Sequence, residues 1–282
     1  MNRRVPRWLI LVLCGGYVFL YLPVTVLIAY SFNDSILSSV WTGFSLRWYA
    51  ALLENQQLID AALLSVRIAA VSATAATILG ALAALAITHM GDFKGRILFT
   101  AMLAAPLVMP EVITGLSLLL FFVSADQLFG WPSARGVATI TLAHITISMA
   151  FVAVIVQSRL SSVDRSFEEA AMDLGGRPHR VAIDITLPLI APALAAGWLL
   201  AFTLSLDDLV IASFVSGPGA STLPMVIFSK VRLGVSPDVN ALATIVIGLV
   251  AIGVSVAAVV NHRRGKPPSS QLLPEGGSRK SA

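Results

Sequence analysis

Six long apolar runs alternate with shorter polar stretches along the 282 residues of the chain. A helix rises about 1.5 Å per residue, so each run is long enough to cross a hydrocarbon layer of about 30 Å with some tilt. The predicted spans cover residues 8–30, 61–88, 97–123, 136–157, 189–215 and 239–261. The pattern therefore predicts an all-α integral membrane protein with six transmembrane helices.

The same pattern divides the chain into three predicted regions. Residues 1–60 hold the first span and an outer loop, and 61–261 hold a core of five spans. Residues 262–282 form a tail rich in Pro, Ser and Gly, a composition that predicts disorder. The first apolar run is too long for a signal peptide and lacks a cleavage site, so we expect it to remain as an uncleaved span.

Prolines predict interruptions in two of the spans. Pro23 indicates a kink in the first span, and Pro106 with Pro110 indicates a broken helix in the third. The break places the carboxylate of Glu111 beside the kink. Glu111 then either faces a polar pathway or pairs with a neighbouring helix, and the sequence leaves both roles open.

Ionisable residues also occur within the other core spans. His144 in the fourth span is predicted to bond a neighbouring helix rather than to bind a ligand. Asp207 and Asp208 are adjacent in the fifth span, where each carboxylate costs roughly 2.5–3.5 kcal/mol on insertion scales and needs compensation. Because neighbouring helical positions differ by about 100°, we predict that one faces the pathway and the other bonds a neighbouring helix. Arg67 of the second span, which otherwise reaches towards the headgroups, is the candidate partner, and the alternative is that both carboxylates belong to interhelical networks.

Composition agrees with a membrane-embedded chain. Hydrophobic residues make up 57% of the sequence, charged residues 12%, and the mean hydropathy is +0.85. The net charge of +4 comes from basic residues dispersed at span ends, so no nucleic-acid partner is expected. The single cysteine, Cys14, excludes an intramolecular disulfide and a metal motif built on cysteines.

The distribution of Lys and Arg predicts the orientation. Of the 19 basic residues, fourteen fall in segments on the side of the N-terminus, four fall on the opposite side, and Arg67 lies within a span. Cytoplasmic segments carry the excess of positive charge. Both termini and the connection 159–188 are therefore predicted to be cytoplasmic.

Catalytic motifs are missing from the sequence. It contains no zinc-binding H-E-x-x-H, no G-x-S-x-G nucleophile elbow and no glycine-rich phosphate loop, since Gly265-Lys266 has no such loop before it. An intramembrane enzyme would need such a set, and a secondary transporter would show corresponding halves with paired broken helices. We therefore expect neither an enzyme nor a cofactor, and any ATP to be bound by a separate subunit.

The connection between the fourth and fifth spans is the interior connection richest in charge. Phe167, Ala170, Ala171 and Leu174 fall on one face of a predicted short helix that ends at a glycine hinge at Gly175. A second short helix is predicted to begin at Pro178 and to stop at Leu187-Pro188. From the pattern alone this is either an ordinary polar linker or a docking element for a partner.

The spacing of particular residues in this connection resembles the EAA signature of permease subunits of bacterial ABC importers. The matching residues are Glu169, Ala170, Ala171, Gly175, Ile185, Leu187 and Pro188. The resemblance implies the type I (MetI-like) permease fold. It also implies that the cytoplasmic loop 159–188 couples this subunit to an ATP-hydrolysing partner by inserting into a cleft on it.

Other stretches look like the permeases of spermidine/putrescine importers, although permeases for ferric iron, other amines and opines share parts of them. These stretches are residues 106–115, 205–208, 214–217 and 234–241. The resemblance implies three partners: a homologous second permease, two copies of an ATP-binding subunit, and a periplasmic polyamine-binding protein. Glu111, Asp207 and Asp208 are then the candidate residues of the substrate pathway.

Overall fold

The computed structural model describes residues 7–35, 40–233 and 237–264, and this part of the chain is helical apart from its connections and one isolated bridge between Asn33 and Phe44. The predicted tail lies outside the described residues from 265 onwards, as do residues 234–236 of the stretch 234–241. In chain order the helices are α1 (Arg7–Tyr30), α2 (Arg47–Glu54), α3 (Gln56–His89), α4 (Arg96–Val108), α5 (Glu111–Phe129), α6 (Val137–Ser162), α7 (Ser166–Asp173), α8 (Pro178–Val181), a π-helical turn (Ala182–Thr186), α9 (Leu187–Asp207), α10 (Val210–Val215), α11 (Leu223–Leu233) and α12 (Pro237–Arg264).

The described residues divide into two compact units, one within Met1–Ala50 and Ser236–Ala282 and the other within Ala51–Val235. In the first unit α1 packs against α12. The loop after α1 is organised by the buried side chain of Asn33, which donates to Val40 O at 2.6 Å and accepts from Thr42 N at 3.0 Å. The Trp48 indole N–H donates to Asn33 O at 2.8 Å, so this loop is closed by hydrogen bonds.

The core of the second unit is formed by α3, α6 and α9, which pack against one another. Small side chains line the contacts, and they let the helix backbones approach closely, as is common between membrane helices. Fully buried examples are Ala73, Ala76, Ala153 and Ala201. At Gly80 of α3 an added Cβ would lie 2.9 Å from Met149 O and 2.9 Å from Val152 Cβ of α6.

Replacing Gly80 by Val is expected to destabilise the packing of α3 on α6 by about 1–3 kcal/mol, because the added atoms meet backbone that cannot move aside cheaply. The measurement is the melting temperature of the purified subunit in detergent, together with its amount in the membrane. Gly16→Val is the matched control, since nothing lies within 4 Å of a Cβ at Gly16. Equal effects of the two substitutions would contradict close packing at Gly80.

Five helical segments in the described part of the chain are long and apolar enough to cross a membrane. They are Trp8–Tyr30, Gln56–His89, Glu111–Phe129, Val137–Ser162 and Pro178–Asp207. Arg96–Val108 and Pro237–Gly248 are shorter apolar helices. The all-helical membrane architecture is confirmed, while a count of six spans stays a prediction.

The break predicted in the third span, 97–123, is confirmed: the span is two helices, with Pro106 inside the first and the break at Pro110. α4 ends at Val108, Met109 is extended with φ −77° and ψ 136°, and α5 begins at Glu111 after Pro110. A residue before proline is driven out of the helical region, and proline lacks the N–H that would continue the helix. The break therefore follows from Pro110, and Glu111 is the first residue of the new helix.

The predicted stop of the second short helix at Leu187-Pro188 is wrong, because helical structure continues from Pro178 to Asp207. A wide turn at Ala182–Thr186 precedes the proline, and Leu187 N–H donates to Ala182 O, five residues back. Such a turn is one of the ways in which a helix adjusts its hydrogen bonding. Pro188, which has no N–H to donate, thus lies inside a continuous helix.

The predicted fifth span, 189–215, also differs from the structure at its C-terminal end. α9 ends at Asp207, Asp208 is extended with φ −66° and ψ 121°, and the short α10 follows from Val210. Asp207 and Asp208 therefore lie at a break between two helices rather than within one helix.

Candidate functional site

Two helix breaks in the second unit border one cavity of about 180 Å³. One is the break at Pro110 between α4 and α5, and the other is the break at Asp208 between α9 and α10. Two carboxylates line this cavity, Glu111 and Asp208, and most of the remaining lining is apolar. The other polar side chains in the lining are His144, Ser148 and Ser205.

The carboxylate of Asp208 is held on three sides. His144 Nε2 lies 3.1 Å from its Oδ2, and the backbone amides of Ile211 and Ala212 donate to it at 3.3 and 2.7 Å. Amides in the first turn of a helix are good partners for a carboxylate. Only 10% of the Asp208 side chain and 3% of the His144 side chain are exposed. The burial of this carboxylate is thus compensated by an imidazole and by two amides of α10.

His144 bonds Ser205 of α9 and Asp208 in the break after it, which confirms the predicted hydrogen bonding of His144 between helices. Its Nδ1 lies 2.6 Å from Ser205 Oγ of α9, and Ser205 Oγ lies 3.1 Å from Ser72 Oγ of α3. The prediction that Arg67 is the partner of the carboxylates is wrong. Arg67 is exposed, and no hydrogen bond or ion pair of its side chain occurs among the described residues.

The three predicted pathway carboxylates are not equivalent. Glu111 and Asp208 line the cavity, whereas Asp207 is exposed and does not. Ser72 was not singled out from the sequence, and Ser205 was included only as the first residue of the stretch 205–208. Their signal was weak, because small hydroxyl residues are common in membrane helices and most bond only their own backbone.

The connection predicted to dock a partner presents an uncovered apolar face on α7. Leu174 is 90% exposed and Phe167 59%, while Glu169 and Ala170 are exposed beside them. Gly175 has a φ of +87°, and α7 ends at Asp173, so the predicted end of the short helix at this glycine is confirmed. Gly176 N–H donates to Ala171 O at 3.0 Å and Gly175 N–H to Met172 O at 2.9 Å, which are the two bonds of a Schellman motif.

Glu168 fixes this segment to the ends of two long helices. Its Oε2 lies 3.0 Å from His89 Nε2 at the end of α3, and its Oε1 accepts from Thr186 Oγ1 at 2.6 Å. Arg165 also donates to Thr88 O. These residues were missed from the sequence, although Glu168 and Thr186 each adjoin a signature residue. Of the other signature residues, Ile185 is half-buried and Leu187 and Pro188 are exposed.

Asp164 begins this segment as an ionised carboxylate. Its Oδ1 accepts from Ser166 N at 2.9 Å, and hydrogen bonding to Ser166 lowers the pKa of Asp164 below its ordinary value. A metal site is not found here or elsewhere, since the described residues contain no group of three or more His, Cys, Asp or Glu that could hold an ion.

Membrane-length helices, a cavity at two helix breaks that is lined by two carboxylates, and an exposed amphipathic segment between spans are the features of a membrane transport permease. Residues 76–264 match the family described as "Binding-protein-dependent transport system inner membrane component". The chain belongs to this family, and it is therefore a multi-pass transport subunit of the inner membrane. The predicted resemblance to ABC importer permeases is confirmed.

Comparisons with individual proteins support this family assignment. The chain is 58% identical over 245 residues to the putrescine transport system permease protein PotI of Escherichia coli (strain K12), covering 87% of each chain. It is 41% identical over 251 residues to the spermidine/putrescine transport system permease protein PotC of the same strain, covering 89% of this chain and 92% of PotC. The fold is similar to that of a chain in a crystal structure of a bacterial alginate ABC transporter in complex with an alginate pentasaccharide-bound periplasmic protein. The TM-score is 0.65 at 17% sequence identity, and the match covers 91% of this chain and 94% of the other.

Proposed function

We propose that this chain forms half of the translocation pathway of an ATP-driven polyamine importer. One observation carries the proposal: Glu111 and Asp208 converge on a cavity in a chain that is 58% identical to a putrescine permease. Putrescine and spermidine are flexible cations. Carboxylates can replace part of the hydration of an ammonium group while binding it weakly enough to release it, which conduction requires.

The connection 159–188 couples this subunit to a dimer of ATP-binding subunits in the proposed complex. The uncovered side chains of Phe167 and Leu174 support this role, because an exposed apolar patch on a short helix is typical of a contact surface. The proposed coupling residues are Glu169, Ala170, Ala171, Gly175, Ile185, Leu187 and Pro188. ATP is hydrolysed in the partner, so this subunit needs no nucleotide site of its own.

Two further partners complete the proposed importer: a homologous second permease that supplies the other half of the pathway, and a periplasmic polyamine-binding protein. Support for the binding protein comes from the family description, which names a binding-protein-dependent system, and from the periplasmic protein in the alginate transporter complex.

The proposed substrate is tested by uptake of radiolabelled putrescine and spermidine in cells that lack the gene, with and without a plasmid copy. We expect the deletion to abolish high-affinity uptake of at least putrescine and the plasmid to restore it. Competition of each amine by the other then measures the preference. Unchanged uptake of both amines in the deletion strain would overturn the polyamine assignment.

The proposed orientation, with both termini in the cytoplasm, makes a separate prediction. In a variant lacking Cys14, single cysteines at Ser133 and Ser216 should react with an impermeant thiol reagent added to intact cells, whereas one at Ser161 should react only after lysis. The physical basis is the excess of Lys and Arg on the side of Ser161. Labelling of a cysteine at Ser161 in intact cells would show that the orientation is the opposite of the one proposed.

A further inference from the structure

A second cavity, of about 370 Å³, lies in the second unit where α3 and α6 end and α4 begins. We call it the basic cavity. Its polar lining consists of Thr88, His89, Arg96, Gln157, Ser161 and Arg165. Among the described residues, no carboxylate belongs to this lining. The basic cavity therefore offers hydrogen-bond donors, two of them guanidinium groups, to a ligand.

The two guanidinium groups lie close together, because they bond consecutive carbonyl oxygens at the end of α3. Arg96 Nη2 donates to Ile87 O at 3.0 Å, and Arg165 Nη2 donates to Thr88 O. Arg96 Nη1 also donates to Asp92 at 2.7 Å, whereas Arg165 forms no ion pair with a described residue. A guanidinium group has five N–H donors in a planar fork that fits the oxygens of a phosphate. Both arginines therefore keep donors for a phosphate-like anion.

Three carboxylates adjoin residues of this lining, and each has a partner of its own. Glu168 pairs with His89, and Asp164, the neighbour of Arg165 in the chain, accepts from a backbone amide of α7. Asp92 pairs with Arg96, but its side chain is 98% exposed. An ion pair so open to water contributes little to stability. The carboxylates thus leave Arg165 without an ionic partner and hold Arg96 only through an exposed contact.

An apolar groove of about 590 Å³ continues from the basic cavity and shares Ile87, Arg96 and Gln157 with it. We call it the α4 groove. Asp92, the partner of Arg96, also lines it. Beyond Arg96 the wall of the groove is one face of α4, with small or apolar side chains at i, i+3, i+4 and i+7: Ile97, Thr100, Ala101 and Ala104. The groove is therefore polar at Arg96 and becomes apolar along the helix.

The basic cavity and the α4 groove together match the polarity of a phospholipid. The ends of α3 and α6 mark a membrane surface, because both helices are long enough to cross a membrane, and the apolar α4 leads inwards from that surface. Ala104 lies about 12 Å along α4 from Arg96. Basic pockets between the ends of membrane helices bind anionic lipid headgroups. A free phosphate would occupy the basic cavity alone and leave the apolar wall, where Ile97 is 88% exposed, uncovered.

We propose that the basic cavity and the α4 groove form one binding site for an anionic phospholipid, with its headgroup phosphate at Arg96 and Arg165 and one acyl chain along α4. The lipid then links α4 to the residue that precedes α7. This site does not include Glu111 or Asp208, which line the other cavity. The inference therefore stands independently of the substrate of the transporter.

The test is native mass spectrometry of the complex purified through this subunit, stripped of lipid in detergent and then given phosphatidylglycerol or phosphatidylcholine. The wild type should retain the anionic phosphatidylglycerol in preference. Arg96→Gln and Arg165→Gln should each reduce its retention about fivefold, which is the contribution of one basic residue near a charged membrane surface. Arg159→Gln is the matched control, because Arg159 is exposed on α6, donates to Leu189 O and lines neither the basic cavity nor the α4 groove.

Ala101→Phe tests the acyl chain separately, because it fills the α4 groove and leaves both arginines in place. It should reduce retention of phosphatidylglycerol by a similar factor, and it serves if Arg96→Gln fails to assemble. Met102→Phe is its control, since Met102 is exposed on α4 and does not line the groove. A phosphatidylglycerol with a photoactivatable acyl chain should label residues 97–104 in the wild type.

Three results would overturn the lipid site. The first is equal retention of the two lipids, or an equal loss in Arg159→Gln and in both variants of the basic cavity. The second is displacement of phosphatidylglycerol by inorganic phosphate together with full retention in Ala101→Phe, which would assign the basic cavity to a free anion. The third is efficient cross-linking of a cysteine at Ala101 to another subunit in native membranes, which would show that a protein covers the groove.

Discussion

Replacing Asp208 by Asn is expected to reduce polyamine uptake by about 10- to 100-fold while the complex still assembles. The amide nearly preserves the shape of the carboxylate, and its one oxygen can still accept from Ala212 N–H, the shorter of the two backbone bonds. The negative charge that would receive the ammonium group is lost. A hydrogen bond to a charged group is worth about 1.5–3 kcal/mol, which corresponds to this range in rate.

Asp207→Asn is the matched control for this prediction, because Asp207 is adjacent, exposed and outside the cavity. Uptake is measured per assembled complex in proteoliposomes, with ATP hydrolysis recorded in parallel. We expect Asp207→Asn to retain most of its uptake and Asp208→Asn to lose uptake more than ATP hydrolysis. Normal transport by both variants would remove the carboxylates from the pathway, and a selective loss in Asp207→Asn would assign the pathway to the other residue.

Replacing Gly175 by Asp is expected to stop transport while leaving the subunit in the membrane. The φ of +87° costs a residue with a side chain about 1–2 kcal/mol, and the new carboxylate would stand on the surface proposed to contact the ATP-binding subunit. Nothing lies within 4 Å of a Cβ built at Gly175, so the fold of the subunit itself is not obstructed. The measurements are uptake, the amount of subunit in the membrane, and co-purification of the ATP-binding subunit.

Gly175→Asn separates charge from shape, because Asn tolerates a positive φ and is nearly the same size as Asp. It should transport better than Gly175→Asp. Glu169→Lys should act in the same direction but less severely, since an exposed ion pair contributes about 0–1 kcal/mol. Wild-type transport by Gly175→Asp would remove the main reason for treating the segment as a coupling element.

The lengths of the apolar runs were enough to predict the membrane-length helices, but the helix breaks were predictable only where a residue causes them locally. Pro110 marks the break before Glu111. No proline or glycine marks the break at Asp208, which is stabilised by a carboxylate that bonds amides of α10 and an imidazole of α6. Conversely, Pro188 predicted the end of a helix. In the structure the wide turn before Pro188 keeps the helix continuous.

In the connection 159–188, too, the local sequence predicts some features, while others depend on residues far away in the chain. The positive φ at Gly175 follows from the local sequence, because a helix that ends in a Schellman motif favours glycine there. The attachment through Glu168 depends on His89, which is 79 positions away, and on the rotation of α3 about its axis. Arg67 was a reasonable partner for Asp208 by charge, but the packing of α3 directs Ser72 rather than Arg67 towards α9.

The helical segment Pro178–Asp207, which contains the wide turn and is attached to Glu168 through Thr186, connects two distant parts of the second unit. Its 30 residues correspond to a length of about 45 Å, with the proposed coupling connection at one end and Asp208 just beyond the other. A tilt of about 10° around its midpoint would displace each end by about 4 Å. That displacement exceeds the 3.1 Å that separates Asp208 from His144, so a modest rotation imposed at the membrane surface is enough to pull the carboxylate away from its imidazole.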